Sequence, residues 1–363
     1  MPNGQAFVSR LIQAWDNGDA VFPLDQRLPP PARAAALSAA RPTIIATSTH
    51  DTAITGDKVE VNDALVVATS GTTGAPKAAV LTHDAVLASA RATSARLGIT
   101  TNDCWLACLP PSHVGGLSVI TRAILMGTPL VTQPAFSPEG YADAARNGAT
   151  LVALVSTAMQ RVDTSLFRTI VLGGSRPPHN RASNCVATYG MTETGSGVVY
   201  DGIPLDGVEI RIVDTVIELR APMLLRAYRN GIVPLDAQGW FRTGDIGTLN
   251  ANGVLQVQGR EGDLIISGGE NVWPETVEES LSQLASIHEV CVVGINDKEW
   301  GQKVVAFVVP SATGAPTLEE LRNTVKETLP SFCAPKEMQI VESIPRTALG
   351  KPQRRELANT YAS

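Results

Sequence analysis

No stretch of this 363-residue chain stays apolar for the roughly 18 residues that a membrane-spanning helix requires. Its N-terminal stretch, MPNGQAFVSRLIQAW, has no basic region followed by an apolar core, so a reducing cytoplasm is the expected location. Positive charge is also in short supply. Lys and Arg number 29 against 35 Asp and Glu, a formal net charge of −6, and they are not gathered into one run. Nucleic acid is therefore not an expected partner. Cysteine is sparse: the five residues, at 104, 108, 185, 291 and 333, include one close pair, and CWLAC reads as a strand rather than a metal knuckle. Structural thiols are expected there, because a zinc site wants a second close pair or nearby histidines. Internal repeats and low-complexity linkers are missing too. What remains, 44% hydrophobic and 18% charged residues, describes a globular chain long enough for two or three domains around a large core.

The pattern along the chain predicts an α/β fold. Strand-length apolar runs (ALVVATS, AAVLTH, CWLACLP, PLVT, TLVALVS, RTIVLGG, NCVATYG) alternate with helical stretches at 84–97, 115–126 and 138–147. That alternation predicts a largely parallel, doubly wound sheet with helices on both faces and strand ends feeding the binding loops. After Tyr200 the runs GVEIRIV, VIELRA, GWFRTGD and GVLQVQGR, separated by Gly, Asp and Asn turns, predict a β-rich antiparallel subdomain over 201–259. From 260 to 363, β and α segments alternate again, as in a small α+β domain. The expected division is thus 1–259 and 260–363. Residues 20–42, rich in Pro and Ala, are expected on the surface.

Five segments carry candidate chemistry. VVATSGTTGAPKAAVLTH, residues 66–83, follows an apolar run with hydroxyls, glycines and one lysine, the makings of a phosphate-binding loop. It is not a Walker A loop, because Pro76 precedes Lys77 and Ala78 follows it, leaving no hydroxyl to hold Mg²⁺. ATYGMTETGSG offers an aromatic face to stack on a base and a carboxylate able to hold Mg²⁺ beside a phosphate, or else it is a glycine-rich turn with a solvated glutamate. GWFRTGDIG holds Asp245, able to accept hydrogen bonds from both ribose hydroxyls, or is a common turn. GREGDLIISGGENVWPETVEE and IPRTALGKPQRREL complete the set, the last placing Lys351 after a glycine.

In this order the five segments, which span residues 64–355, resemble the adenylate-forming superfamily of acyl-CoA synthetases, adenylation domains and firefly luciferase. The resemblance implies that a carboxylate substrate attacks the α-phosphate of ATP, pyrophosphate leaves, and the acyl-adenylate is passed to a thiol such as that of CoA. It implies that Thr69, Ser70, Gly71, Thr72, Thr73, Gly74 and Lys77 cradle the phosphates, and that Tyr189, with Gly190, lies against adenine beside Gly173 and Gly174. Thr192 would donate to the α-phosphate, Glu193 bind Mg²⁺, Asp245 and Arg260 hold the ribose, and Lys351 bridge the acid and the α-phosphate as negative charge builds. His113, in PPSHVGGLS, would line the acyl pocket, or it is a satisfied core histidine. In the superfamily the C-terminal domain is mobile. Its pivot matches Gly262, and Ser267, Gly268, Gly269 and Glu270 would border the pantetheine channel.

Within the superfamily, SHVGGLS, VSTAMQRV and the compact length are most similar to the branch that ligates o-succinylbenzoate to CoA in menaquinone biosynthesis. Gly115, Gly116 and Leu117 would then admit the ring, and Ser156, Thr157, Gln160 and Arg176 receive the second carboxylate. Another aryl- or acyl-CoA ligase, an adenylation domain loading a carrier protein, an oxygenase of the luciferase type, and a non-catalytic nucleotide-binding module are the alternatives. Relatives commonly carry well over a hundred residues before the phosphate loop. The shorter lead here implies a reduced N-terminal subdomain, with an apolar face open to a homodimer partner.

Overall fold

The computed structural model describes residues 3–69, 76–174, 177–178, 180–346 and 352–361. They form a mixed α/β structure in two compact units, Met1–Ile210 with Leu219–Phe241, and Arg211–Glu218 with Arg242–Ser363. The β-rich stretch 201–259 is thus divided between the units, and residues 242–259 group with the C-terminal part.

In the first unit, a seven-stranded sheet runs in the order Ile203–Pro204, Gly197–Tyr200, Cys185–Gly190, Thr169–Leu172, Leu151–Leu154, Trp105–Ala107, Leu130–Thr132. The five strands from Cys185–Gly190 to Leu130–Thr132 are mutually parallel, as the alternating pattern predicts, and the other two are antiparallel. Because side chains alternate across a strand, Trp105 and Ala107 enter one core with Leu117 and Ile120 of helix Val114–Met126. Leu106 and Cys108 enter a second core with Tyr141 and Ala144 of helix Pro138–Arg146. Both faces are covered, the condition a parallel sheet needs.

A smaller sheet pairs Asp63–Thr69 with Lys77–Thr82 and the latter with Ala227–Tyr228, all antiparallel. Arg226 secures the third strand by donating from Nε and Nη2 to the buried Asp63 carboxylate at 2.9 and 3.0 Å. Residues 20–42 are not simply surface. Ala40, at the end of helix Pro30–Ala40, packs against Val66, Ala78 and Val80, and Asp25 is buried. Small alanines let that helix lie close on the strands, which a reading of composition alone overlooks.

The second unit holds most of a four-stranded sheet, Glu209–Val213, Val216–Arg220, Phe241–Leu249, Leu255–Arg260, and a five-stranded one built on the long antiparallel pair Ile287–Asp297 and Gly301–Pro310. Helices Pro274–Leu281 and Leu318–Thr328 cover one face through Val277, Leu281, Leu321 and Val325. Leu357 of helix Arg354–Tyr361 covers the other with Val293 and Phe307. Arg354 Nη2 lies 2.8 Å from Glu278 Oε2 and 3.2 Å from Glu275 Oε1, tying this last helix to Pro274–Leu281, while burial pushes both carboxyls upward in pKa.

All five cysteines are free, Cys104 partly buried and the rest buried. Burial pushes every one of these thiols up, Cys108 to about 12. No helix of the described residues is long and apolar enough to cross a membrane.

Candidate active site

The parallel strands of the first unit deliver the candidate residues at their carboxyl ends. Trp105–Ala107 runs on toward His113, Leu151–Leu154 toward Ser156 and Thr157, and Thr169–Leu172 into Gly173 and Gly174, while Tyr189 lies near the end of Cys185–Gly190. The pairs Leu172↔Ala187 and Val171↔Val186 set the glycine turn beside the Tyr189 segment. Strand order changes direction at Trp105–Ala107, which lies between Leu151–Leu154 and the edge strand Leu130–Thr132. Open α/β sheets bind ligands at the carboxyl edge beside such a switch.

Thr69 and Lys77 face each other as the last paired residues of the hairpin that flanks the phosphate loop. Ser70, Gly71, Thr72, Thr73 and Gly74 lie outside the described residues. The Lys77 ammonium sits 5.0 Å from the centre of the Tyr228 ring, and the Tyr228 hydroxyl donates to Glu193 Oε1 at 2.8 Å. The lysine of one motif and the glutamate of another are therefore joined through a tyrosine that belongs to neither. Nothing in AYRNG marks that residue. Its place depends on the pairs Tyr228↔Ala79 and Ala227↔Val80, contacts between distant parts of the chain.

Glu193 occupies a short 3-10 turn, Thr192–Thr194, that is closely tied. The buried Thr194 hydroxyl donates to Ser196 O at 2.6 Å and accepts from Met191 N at 2.9 Å, while Leu225 N donates to Glu193 O at 2.7 Å. Glu193 and Thr192 are half-buried, within reach of solvent and ligand. Gly190, expected beside the adenine, has a structural task as well: a Cβ there would stand 2.2 Å from Ser196 O.

His113 caps helix Val114–Met126, with Nε2 3.4 Å from Asp25 Oδ2, too long and poorly directed for a full hydrogen bond. Arg27 donates to Asp25 from Nε at 2.9 Å and from Nη2 at 2.6 Å, holding that carboxyl near pKa 2. Burial lowers the His113 pKa against the pull of Asp25, so the imidazole is neutral at neutral pH. Sequence reasoning missed Asp25 and Arg27, which lie in the stretch read as surface. Gly116 is required because a Cβ would strike Pro110 O at 2.4 Å. Leu117 is fully buried in the core, so it does not wall an open slot. Arg176 lies outside the described residues.

In the second unit Asp245 and Arg260 are cross-strand partners, with Arg260 Nε donating to Asp245 Oδ1 at 2.7 Å. Two residues on, Gly262 lies in the turn Glu261–Asp263. Gly268 and Gly269 both have positive φ, +62° and +84°, and join Ile265–Ser267 to Glu270–Val272 as a two-residue hairpin turn. That turn type demands such backbone, so these glycines have a folding reason independent of any channel. Ser267 is itself buried. Lys351 lies outside the described residues.

The same arrangement of segments recurs in known proteins. Residues 1–221 match the AMP-binding enzyme family, and residues 276–351 match the AMP-binding enzyme C-terminal domain. A probable 2-succinylbenzoate–CoA ligase of Mycobacterium tuberculosis is 35% identical, over 92% of this chain and 94% of its own length. A 2-succinylbenzoate–CoA ligase of Bacillus cereus is 35% identical over 80% of this chain and 69% of its own. Among solved structures, the o-succinylbenzoate CoA synthetase of Bacillus subtilis, in complex with its acyl-adenylate intermediate, superimposes with a TM-score of 0.77 and 27% identity, covering 97% of this chain and 81% of that one. With over half its length matched and a relative this similar along nearly all of both chains, the protein belongs to the AMP-binding enzyme family.

Proposed function

We propose that this chain is an ATP-dependent, AMP-forming acid–CoA ligase that converts o-succinylbenzoate to its CoA thioester in menaquinone biosynthesis. The observation that carries the reading is the meeting of the phosphate-loop lysine, the Glu193 turn and the adenine-site segments in one unit whose sheet has a carboxyl-edge switch. The mycobacterial relative supports the choice of acid.

In the first half-reaction a carboxylate oxygen of the acid forms a bond to the α-phosphorus as the bond to pyrophosphate breaks. No base is required, since the acid is already ionised at neutral pH. Lys77, with the loop of residues 69–74, holds the departing phosphates. Thr192 donates to the α-phosphate, and Tyr189 with Gly173 and Gly174 receives adenine. Glu193 suits Mg²⁺, which takes one or two carboxylates and completes its shell with substrate phosphates and water; among the described residues no larger cluster of His, Cys, Asp and Glu offers a cage. When bound, the cation neutralises phosphate charge as pyrophosphate leaves. Asp245, oriented by Arg260, takes the ribose hydroxyls, and Lys351 stabilises the charge shared by acid and phosphate.

In the second half-reaction the CoA sulfur bonds to the acyl carbon and AMP departs. Residues 260–363 act as the mobile part, turning at Gly262 to replace Lys351 with the Ser267–Glu270 hairpin. ATP, CoA and the acid are water-soluble reactants, in keeping with a cytoplasmic location.

The test is kcat/KM for thioester formation with o-succinylbenzoate, benzoate and a medium-chain fatty acid under matched ATP, Mg²⁺ and CoA. We expect o-succinylbenzoate to lead by at least about 10²-fold, because a site built for a second carboxylate leaves its donors unpaired without one. Preference for benzoate or the fatty acid overturns the choice of acid and leaves the ligase chemistry standing.

A further inference from the structure

Tyr228 belongs to none of the five motifs, yet it touches two residues that those motifs supply. Its backbone is fixed three ways: by the pairs Tyr228↔Ala79 and Ala227↔Val80, by Arg229 N donating to Ala78 O at 2.8 Å, and by the Arg226 clamp on Asp63. At 8% exposure the side chain has little freedom to choose partners. A buried tyrosine needs an acceptor for its hydroxyl, and here the acceptor is the Glu193 carboxylate, a charge-assisted bond of 2.8 Å. The ring face meanwhile holds the Lys77 ammonium 5.0 Å from its centre.

We propose that Tyr228 is a positioning residue that presents the Glu193 carboxylate to the Mg²⁺ of bound ATP and seats Lys77 for the phosphates, an inference that rests on reading Glu193 as the metal-binding carboxylate. The chemistry suits both tasks. A phenol stays protonated at neutral pH and can only donate to a carboxylate, so it fixes one oxygen and leaves the second for a hard cation. The hydroxyl thereby restricts the side-chain rotation that would otherwise be lost on binding the metal. An aromatic face attracts an ammonium group without cancelling its charge. Lys77 is therefore directed while its full positive charge remains for the pyrophosphate, which a carboxylate partner would have quenched.

Tyr228→Phe separates the tasks, since it keeps the ring over Lys77 and removes the hydroxyl. Two readouts are needed: the Mg²⁺ dependence of ATP–pyrophosphate exchange, and the affinity for Mn²⁺ with α,β-methylene-ATP, followed by electron paramagnetic resonance without turnover. We expect Tyr228→Phe to weaken both about 10-fold or more, the range for lost partners of metal ligands, with its thermal midpoint close to that of the parent. Tyr228→Leu should add a higher KM for ATP through loss of the Lys77 seat. Glu193→Gln serves as the reference. If it weakens Mn²⁺ binding while Tyr228→Phe leaves both readouts unchanged, the tyrosine proposal alone is overturned. If Glu193→Gln binds Mn²⁺ like the parent protein, the assignment of Glu193 fails and takes the proposal with it.

Discussion

A methyl group added at Gly190 would sit 2.2 Å from the Ser196 carbonyl oxygen, whereas one added at Gly262 would meet no atom within 4 Å. The first glycine is dictated by the conformation in which it is seen. The chain turns through Glu193 and returns so close to its own start that only hydrogen fits between the two passes. Gly262 has neither crowding nor the positive φ that excludes side chains. A side chain would fit there, so neither crowding nor backbone conformation dictates the glycine in the conformation seen. That leaves room for the pivot role proposed above, in which backbone freedom matters across a change of φ and ψ rather than at either end.

The largest effect that would break this contrast comes from Gly262→Pro. With φ locked near one value, pyrophosphate exchange should stay near normal while CoA thioester production drops by about 10²-fold, the scale of misplacing a reacting group. Unimpaired turnover would move the pivot elsewhere. A smaller effect, and one without selectivity, is expected of Gly190→Ala. The atoms it strikes are backbone, at 2.2 Å from Ser196 O and 2.7 Å from Gly197 Cα, so the strands must part. We expect about 1–3 kcal/mol of lost stability in thermal or denaturant unfolding, the range for overpacking. Both half-reactions should suffer together as the Glu193 turn shifts. An unchanged melting temperature would mean that the turn has more slack than its geometry allows. The smallest effect belongs to Gly262→Ala, which should stabilise by no more than about 1 kcal/mol through the unfolded chain. Marked destabilisation there would erase the distinction between the two sites.

What was legible in the sequence followed from local pattern. The helix read at 115–126, the helix read as starting after Pro274, the helix at 318–328 and the parallel strands declare themselves through periodicity and through a start signal such as Pro274. The motif residues were equally visible, because each lies in a short run of unusual composition. The misread or missed features have partners far away in sequence. Asp25 acquires meaning from His113, and Tyr228 from Lys77 and Glu193. No window along the chain contains either set. The Gly268–Gly269 pair differs, since two glycines between short strands are a local hairpin signal, and the structure places them in such a turn.

The sulfur chemistry of the chain has a bearing on fidelity. An acyl-adenylate is a mixed anhydride that acylates whatever thiolate it encounters, and a thiolate is far more nucleophilic than its thiol. Burial pushes every thiol here further from the thiolate, and Cys104 alone is partly open to solvent. The same burial thus works against self-labelling by the activated intermediate in two ways, by limiting access and by favouring thiol over thiolate. The sulfur of the second substrate therefore meets little competition from the chain's own thiols.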